Sequence, residues 1–291
     1  MKPDNLVSVH GGHSGQFCDH ATDTLEDIVK LYIEKEFAWV GITEHTPAIS
    51  GTLLDPGQKK AGLTSDGLLK NFEDYFVECK RLKEKYKKEI QIFVAMEIET
   101  YSGYEEFVPF LTERFQPDYI VGSVHFINDI CFDYSLQQYN MAVDSVGGIE
   151  NLYLHYFDQQ YQMIKLLRPA VVGHFDLIRI FDPQYKERLT KPEIMERIER
   201  NLSLIKEQDL IMDLNLRALL KGAAEPYISQ PILQRARDLE ISVVPGDDSH
   251  GLSSVGAHLE EGINLLKTMG FDTDWRKPVL ISSSRFPPAR E

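Results

Sequence analysis

Residues 6–20 have the sequence Leu-Val-Ser-Val-His-Gly-Gly-His-Ser-Gly-Gln-Phe-Cys-Asp-His, in which a short apolar run leads directly into three histidines. His10 ends the β-like run, and His13 and His20 follow it closely. Two glycines between His10 and His13 allow the backbone to turn so that both rings face one point. Neutral imidazole is a common ligand of zinc, iron and manganese. The segment therefore predicts a metal site where the first strand ends.

A potential metal ligand after an apolar run recurs along the rest of the chain. The further examples are His45, Glu97, His125, His174, Asp248 and His250. One helix or strand cannot hold ligands that lie this far apart in sequence, whereas a closed fold can bring them together. The sequence therefore predicts a multinuclear metal site and a fold that assembles it from many segments.

Short runs rich in β-branched and aromatic residues alternate with longer amphipathic stretches, which is typical of a parallel βα fold. The predicted strands are 6–10, 39–43, 91–98, 119–124, 170–173, 211–215, 242–245 and 279–281. The predicted helices lie near 24–36, 65–88, 105–115, 148–167, 191–208, 230–239 and 253–269. Two segments are interpreted as long loops, 50–65 over the site and 132–148 as a second one.

A doubly wound open sheet is the alternative to a closed barrel. No glycine-rich phosphate-binding fingerprint follows the first strand, as it would in the Rossmann form of that sheet. In a βα barrel the carboxyl ends of the strands converge on one face, where the site lies. A barrel would unite all the candidate ligands, whereas an open sheet would separate the outer ones. We therefore expect an α/β barrel, with residues 1–291 as a single domain.

Composition and charge limit the kinds of partner that the protein is expected to bind. The formal net charge of −14 argues against binding to a nucleic-acid backbone, which needs a basic face. No apolar run approaches the roughly 20 residues of a membrane span, and no secretory signal is evident, so no membrane partner is expected. Three widely spaced cysteines, Cys18, Cys79 and Cys131, fit a reduced, cytoplasmic setting. Cys18 could be a soft metal ligand, although a small packed residue is the commoner role.

Several candidates admit more than one role. Glu97 and Glu99 point to the same side of a strand, and Glu97 is the preferred bridging ligand because it ends the apolar run. Glu44, next to His45, is expected to support a ligand or to face the substrate. Two histidines inside helical patterns match none of these motifs and are expected to be structural or surface residues: His155 and His258.

The ordered set of motifs resembles the polymerase-and-histidinol-phosphatase (PHP) metallohydrolase superfamily, and within it the monofunctional histidinol-phosphate phosphatases. The resemblance covers most of the chain, through Ser-Gly-Gln-Phe-Cys-Asp-His20-Ala, Thr-Glu-His45-Thr-Pro, Met-Glu97, Gly-Ser-Val-His125-Phe, Gly-His174-Phe-Asp-Leu-Ile and Asp248-Ser-His250. It implies a distorted (β/α)7 TIM-like barrel with a trinuclear metal site at the C-terminal face of the strands.

Carried onto this sequence, the resemblance implies three ligand sets for two to three divalent ions. The first set is His10, His13, Glu97 and Asp248. The second is Glu97, His125 and His174, with Glu97 bridging, and the third is His20, His45 and His250. The family's first motif is His-x-His, whereas two glycines separate His10 from His13. Either the glycines form a bulge that restores His10 as a ligand, or the first metal is bound differently. Zinc, iron and manganese all suit such ligands.

The implied activity is hydrolysis of L-histidinol phosphate to L-histidinol and phosphate, a step of histidine biosynthesis. The metals would bind phosphate oxygens and activate a bridging hydroxide for attack on phosphorus. Asp248 or His250 would supply the proton that the leaving alkoxide needs.

Other residues are candidates for contacts with a small phosphorylated substrate. Arg179 and Arg217 stand in βα loops where a guanidinium could bind phosphate. Glu44 or Asp19 could face the ammonium or imidazole of histidinol. Two other functions stay open: a phosphoesterase of the same family acting on another small phosphate or a nucleotide, and a metal-binding module that has lost catalysis. The sequence leaves the oligomeric state undetermined.

Overall fold

The computed structural model describes residues 6–281, in which seven parallel strands form one sheet. In sheet order these are β1 (Leu6–Ser8), β2 (Phe37–His45), β3 (Gln91–Glu97), β4 (Tyr119–Gly122), β7 (Val171–Val172), β8 (Ile211–Asn215) and β9 (Ser242–Gly246). Two short antiparallel strands, β5 (Phe126–Ile127) and β6 (Ile130–Cys131), form a hairpin after β4.

Eleven α-helices connect and cover the strands between residues 6 and 281. They are α1 (Leu25–Glu34), α2 (Pro56–Lys60), α3 (Ser65–Lys85), α4 (Tyr104–Phe115), α5 (Leu136–Ser145), α6 (Ile149–Leu167), α7 (Tyr185–Leu189), α8 (Pro192–Glu207), α9 (Arg217–Leu220), α10 (Gln230–Asp238) and α11 (Leu259–Thr268). Local capping sets several starts, as at α1, where the Thr24 hydroxyl accepts a hydrogen bond from the Asp27 amide. No helix in this part of the chain has the length and apolar character that crossing a membrane requires.

The sheet curves until its first and last strands meet. The Val9 amide donates to the Pro245 carbonyl at 3.0 Å, and the Asp248 amide donates to the His10 carbonyl at 2.8 Å. We call this junction between β1 and β9 the seam. It makes the sheet a nearly closed barrel, as predicted, with strands as short as two residues at β7. Strands such as β4 are buried throughout because helices cover one face and the barrel interior fills the other.

The predicted eighth strand at residues 279–281 is wrong. Val279 and Leu280 are exposed, and Ile281 makes a backbone hydrogen bond to Asp118 without extending the sheet. Of these three residues, Ile281 alone packs against the core and it is only partly buried, and seven strands make the barrel within residues 6–281.

The interpretation of residues 132–148 as a loop is also wrong, because α5 occupies most of this segment. The Ser135 hydroxyl caps its start by accepting from the Gln138 amide. Tyr139 and Ala142, three residues apart, form its buried side. At the other end of the chain, the helix predicted from residue 253 begins only at Leu259, after a 3-10 turn.

Candidate metal centre

The candidate ligands lie at the carboxyl ends of the barrel strands, because each ends or follows an apolar strand. His45 and Glu97 are the last residues of β2 and β3 and are paired in the register of those strands. His125 follows β4, His174 follows β7 and Asp248 follows β9. The barrel geometry thus brings these side chains to one face.

The first group of ligand atoms comes from His10, His13, Glu97 and Asp248. His10 Nε2 lies 3.1 Å from Glu97 Oε2 and 4.0 Å from Asp248 Oδ1. His13 Nε2 lies 3.7 Å and 3.4 Å from the same two oxygens. Nitrogen and oxygen ligands at ~2.1 Å from a tetrahedral ion are about 3.4 Å apart. The atoms of His10, His13 and Glu97 lie within 4.8 Å of one another, a spacing suited to one ion, and Asp248 Oδ1 lies beside the two imidazoles.

The second group comes from Glu97, His125 and His174. His174 Nε2 lies 2.8 Å from Glu97 Oε1, and His125 Nε2 lies 3.4 Å from the same oxygen. The two imidazole nitrogens are 3.1 Å apart. This group uses Oε1 of Glu97 and the first group uses Oε2. The carboxylate therefore stands between the two groups, where a bridging ligand would stand.

The third predicted set contains His20, His45 and His250. Their ring centroids are 4.8 to 6.2 Å apart, so the structure brings the three rings into one neighbourhood. Their ligand atoms, however, fall into two different clusters within 4.8 Å. One cluster joins His45 and His250 to His13 and Cys18. The other joins His20 to Cys18 and Asp19.

Several buried atoms at this face have no hydrogen-bond partner in the described part of the chain. They include His10 Nε2, His13 Nε2, His45 Nδ1 and Asp248 Oδ1. A buried polar atom without a partner costs about 1–3 kcal/mol, so a concentration of them at one place calls for another partner. The unpaired atoms belong to imidazole and carboxylate groups, which is the donor chemistry of zinc, iron and manganese sites. The residues present therefore fit divalent metal ions.

The electrostatics of the buried carboxylates agree with this fit. Burial works against ionisation of Glu97, but the imidazoles around it, His10 first, hold its pKa well below the usual range. The pKa of Asp248 is likewise well below its usual range despite burial, chiefly because of His10 and His13. Burial lowers the pKa of His10, yet Glu97 and Asp248 raise it well above its ordinary value. The site is thus built to hold ionised carboxylates against positive charge.

Three carboxylates contact the Nδ1 atoms of three histidines whose Nε2 atoms belong to the ligand groups. The pairs are His10 Nδ1 with Asp213 Oδ2 at 2.9 Å, His13 Nδ1 with Glu44 Oε1 at 3.2 Å, and His125 Nδ1 with Glu99 Oε2 at 2.8 Å. A carboxylate that accepts from a histidine sets its orientation and tautomer. Of the two roles left open for Glu44, this contact favours the supporting one.

Asp213 is a site residue that sequence reasoning missed. It is fully buried, and its Oδ2 also accepts a hydrogen bond from Asn215 Nδ2 at 3.0 Å. A signal was present in the sequence, because Asp213 and Asn215 alternate along β8 and so face the same side. Two polar residues on the same face of a buried strand indicate that this face lines a functional site.

The two glycines after His10 are required by close packing. A Cβ at Gly11 would lie 2.4 Å from the Gly41 carbonyl oxygen, and one at Gly12 would lie 2.8 Å from a methyl group of Ile28. The segment thus fits between β2 and α1 only without side chains at these positions. His10 and His13 still both face Glu97, so the longer spacing turns neither ring away from the site.

A cavity of about 280 Å³ opens beside the ligand groups, a size suited to a small molecule. Residues 50–65, predicted to be a loop over the site, contain the short helix α2 and contribute Leu53, Asp55 and Gln58 to the cavity wall. Two cationic side chains also line it, Arg217 and Lys221. The cavity therefore combines the candidate metal ligands with groups able to attract an anion.

The two arginines predicted to contact substrate have different surroundings. Arg217 lines the cavity, and its Nη1 donates to the Asp248 carbonyl at 3.1 Å. Arg179 is not among the residues that line it. Its guanidinium instead donates to Asp176 and to two backbone carbonyls of residues 225–226, and it stacks on the Tyr227 ring. Two further histidines are exposed on the surface, as predicted: His155 and His258.

Comparisons with known proteins agree with this geometry. The family model of the PHP domain matches residues 11–217. A protein of Schizosaccharomyces pombe named "Probable histidinol-phosphatase" is 35% identical over 254 residues, covering 86% of this chain and 82% of the relative. A Listeria monocytogenes structure assigned as a histidinol phosphatase is 27% identical, with a TM-score of 0.78 over 88% of this chain and 99% of the other.

The fold is also shared with histidinol phosphate phosphatase from Lactococcus lactis, whose structure is a complex with zinc, L-histidinol and phosphate. That protein is 19% identical, with a TM-score of 0.68 over 91% of this chain and 94% of the other. These findings confirm the family resemblance and the distorted barrel predicted from the sequence. The chain belongs to the PHP domain family.

Proposed function

We propose that this protein is a metal-dependent phosphomonoesterase that hydrolyses L-histidinol phosphate to L-histidinol and phosphate. The observation that carries the proposal is the position of Glu97, whose two carboxylate oxygens serve two adjacent groups of ligand atoms at one end of the cavity. Paired metal sites of this kind suit hydrolysis of phosphate esters. The name carried by the relative that is 35% identical over 86% of this chain points to the same substrate.

We infer three metal positions, occupied by zinc, iron or manganese. The first two are held by the groups that share Glu97, and the third involves His20, His45 and His250. Divalent ions bound there would neutralise charge on the phosphate oxygens and lower the pKa of bound water, which makes a nucleophile available near neutral pH. The protein contributes by fixing the ligands in place, with Asp213, Glu44 and Glu99 orienting the imidazole rings.

Asp248 and His250 are proposed to handle the proton at the leaving-group oxygen. Both line the cavity, and His250 Nδ1 lies 3.0 Å from the Asp248 carbonyl oxygen. The carboxylate oxygen Oδ2 of Asp248 accepts a hydrogen bond from Asn215 Nδ2 at 3.1 Å, which holds the carboxylate in one orientation. Because the pKa of Asp248 lies well below its usual range, its carboxylate would accept a proton from the attacking water and pass it to the departing alkoxide of L-histidinol.

Carboxylates elsewhere in the cavity wall would suit the cationic end of histidinol. Asp19, Asp55 and Asp133 line the cavity together with the aromatic rings of Phe72 and Tyr101. Glu44 is less suited to this role because its carboxylate contacts His13. An anionic phosphate held at the metals and a cationic group held by carboxylates would give the substrate one orientation.

The test is a phosphate-release screen on protein of measured metal content. We expect L-histidinol phosphate to exceed other small phosphomonoesters and nucleotides by orders of magnitude in kcat/KM. Chelation should abolish release, and added zinc or manganese should restore it. A strong preference for a nucleotide would favour a different phosphoesterase of this family. No release from any substrate by metal-loaded protein would favour a metal-binding module without catalysis.

Arg217 is expected to bind the substrate phosphate. Replacing it with alanine should lower kcat/KM for histidinol phosphate by about tenfold to a hundredfold, since a hydrogen bond to a charged group contributes about 1.5–3 kcal/mol. The measurement is steady-state kinetics, with the loss falling mainly on KM. Arg235→Ala is the matched control, because Arg235 pairs with Glu199 on the helical exterior. Equal kinetics for the two variants would contradict this role.

The proposed setting is the cytoplasm. The three cysteines, Cys18, Cys79 and Cys131, are free thiols. Free thiols persist where the surroundings are reducing.

A further inference from the structure

Cys18 lies close to the candidate ligands of the third metal position. Its side chain is buried, and its Sγ is 3.3 Å from His20 Nδ1. A tetrahedral zinc ion with sulfur at ~2.3 Å and nitrogen at ~2.1 Å holds those two atoms about 3.5 Å apart. Cys18 and His20 therefore have the spacing of two ligands of one ion.

The same sulfur belongs to both clusters of ligand atoms at this end of the site. It lies within 4.8 Å of ligand atoms of His45 and His250 in one cluster, and of His20 in the other. Cys18 is thus the side chain at which the two clusters meet. Ligand atoms of three histidines, His20, His45 and His250, thus lie within 4.8 Å of this sulfur, and three imidazoles with one sulfur form a ligand set that zinc accepts.

Comparison with Cys79 argues against a packing role for Cys18. Cys79 is fully buried within the main apolar core, among residues such as Tyr75 and Leu82. Cys18 belongs to neither apolar cluster of the described residues, although it is buried. Its sulfur lies instead among the side chains of His20, His45 and His250. A thiol that served only to fill apolar space would be expected in the core.

We propose that Cys18 supplies a sulfur ligand to the third metal position, together with His20, His45 and His250, and that this position prefers a thiophilic ion such as zinc. The inference rests on the metal-dependent function proposed above. Binding of the ion would replace the thiol proton, which passes to solvent, and leave a thiolate ligand. Thiolate is a soft ligand that favours zinc, whereas manganese and magnesium prefer oxygen ligands.

The test loads the full chain with Co²⁺ and follows the near-ultraviolet absorption for a sulfur-to-cobalt charge-transfer band. We expect the band to grow until three ions per chain are bound, as measured by elemental analysis. Cys18→Ser should lose the band and one bound ion, and Cys79→Ala, as the matched control, should keep both. X-ray absorption at the zinc edge of wild-type protein should show a sulfur neighbour at ~2.3 Å, which needs no variant to fold.

Three results would overturn the sulfur ligand: wild-type protein that binds three cobalt ions without the band, wild-type protein that binds only two, or Cys18→Ser protein that keeps the band. Phosphate release measured on the same preparation separates this proposal from the function. Release without the band overturns the sulfur ligand and leaves the phosphatase standing. A band without release keeps the sulfur ligand and counts against the phosphatase.

Discussion

Replacing Glu97 with glutamine is expected to lower kcat/KM for histidinol phosphate by about a thousandfold or more. Glutamine keeps the size of the side chain but offers one oxygen, so it cannot serve two groups of ligands at once. Metal ions contribute several kcal/mol of transition-state stabilisation, and a loss of about 4 kcal/mol corresponds to about a thousandfold in rate. Kinetics together with metal analysis measure the effect, and fewer ions per chain should accompany the loss.

Glu89→Gln is a suitable control for this experiment. Glu89 is exposed and lies just before β3, at the opposite end of the strand that Glu97 terminates. Its replacement changes the net charge by the same amount but leaves the ligand groups intact. Glu97→Gln protein with more than a tenth of wild-type activity and full metal content would show that this carboxylate does not bridge.

Asp213→Asn is expected to weaken metal binding by about tenfold to a hundredfold, the usual consequence of losing a carboxylate that orients a metal-ligating histidine. Asp213 Oδ2 accepts from His10 Nδ1 at 2.9 Å, and both side chains are fully buried. The asparagine keeps the volume but lacks the charge that holds the imidazole in place. The measurement is metal affinity by competition with a chelator, together with kcat as a function of metal concentration.

Rescue separates positioning from a merely structural role for Asp213. If the carboxylate acts by orienting His10, a large excess of metal should restore most of the activity of Asp213→Asn. If it only stabilises the barrel, activity should stay low and the melting temperature of the metal-free protein should fall instead. Asp238→Asn, on the exposed side of α10, should change neither quantity.

The strands and the ligands they carry could be predicted because one pattern serves both. An apolar run that ends in histidine or a carboxylate predicts a buried strand and the residue at its carboxyl end. The pattern gave the seven strands of the barrel, and it placed side chains such as His125 and His174 on one face. It failed at residues 279–281, where Val279 and Leu280 are exposed and no strand of the described residues continues the sheet.

Contacts between distant segments could not be predicted in this way. Arg179 follows the His174 motif in a βα loop, which suggested a phosphate contact. Its guanidinium turns instead toward Asp176 and toward backbone carbonyls more than forty residues away. Local sequence gives the position of such a residue along the chain but not the atoms that accept its hydrogen bonds. Asp213 is the converse case, because its role depends on His10, 203 residues earlier in the chain.

Because it lies at the seam, the first metal position is expected to affect the stability of the whole barrel. Its proposed ligands include His10 and His13 from the β1 side and Asp248 from the β9 side, so one ion would fasten the two ends of the barrel-forming chain. The seam is also joined by the Ser8 hydroxyl and the Asp247 carboxylate, 239 residues apart. Closing so long a loop carries an entropic cost, which a tight ion would offset. The ion would thus hold the seam closed, and its loss would loosen the barrel where substrate is proposed to bind.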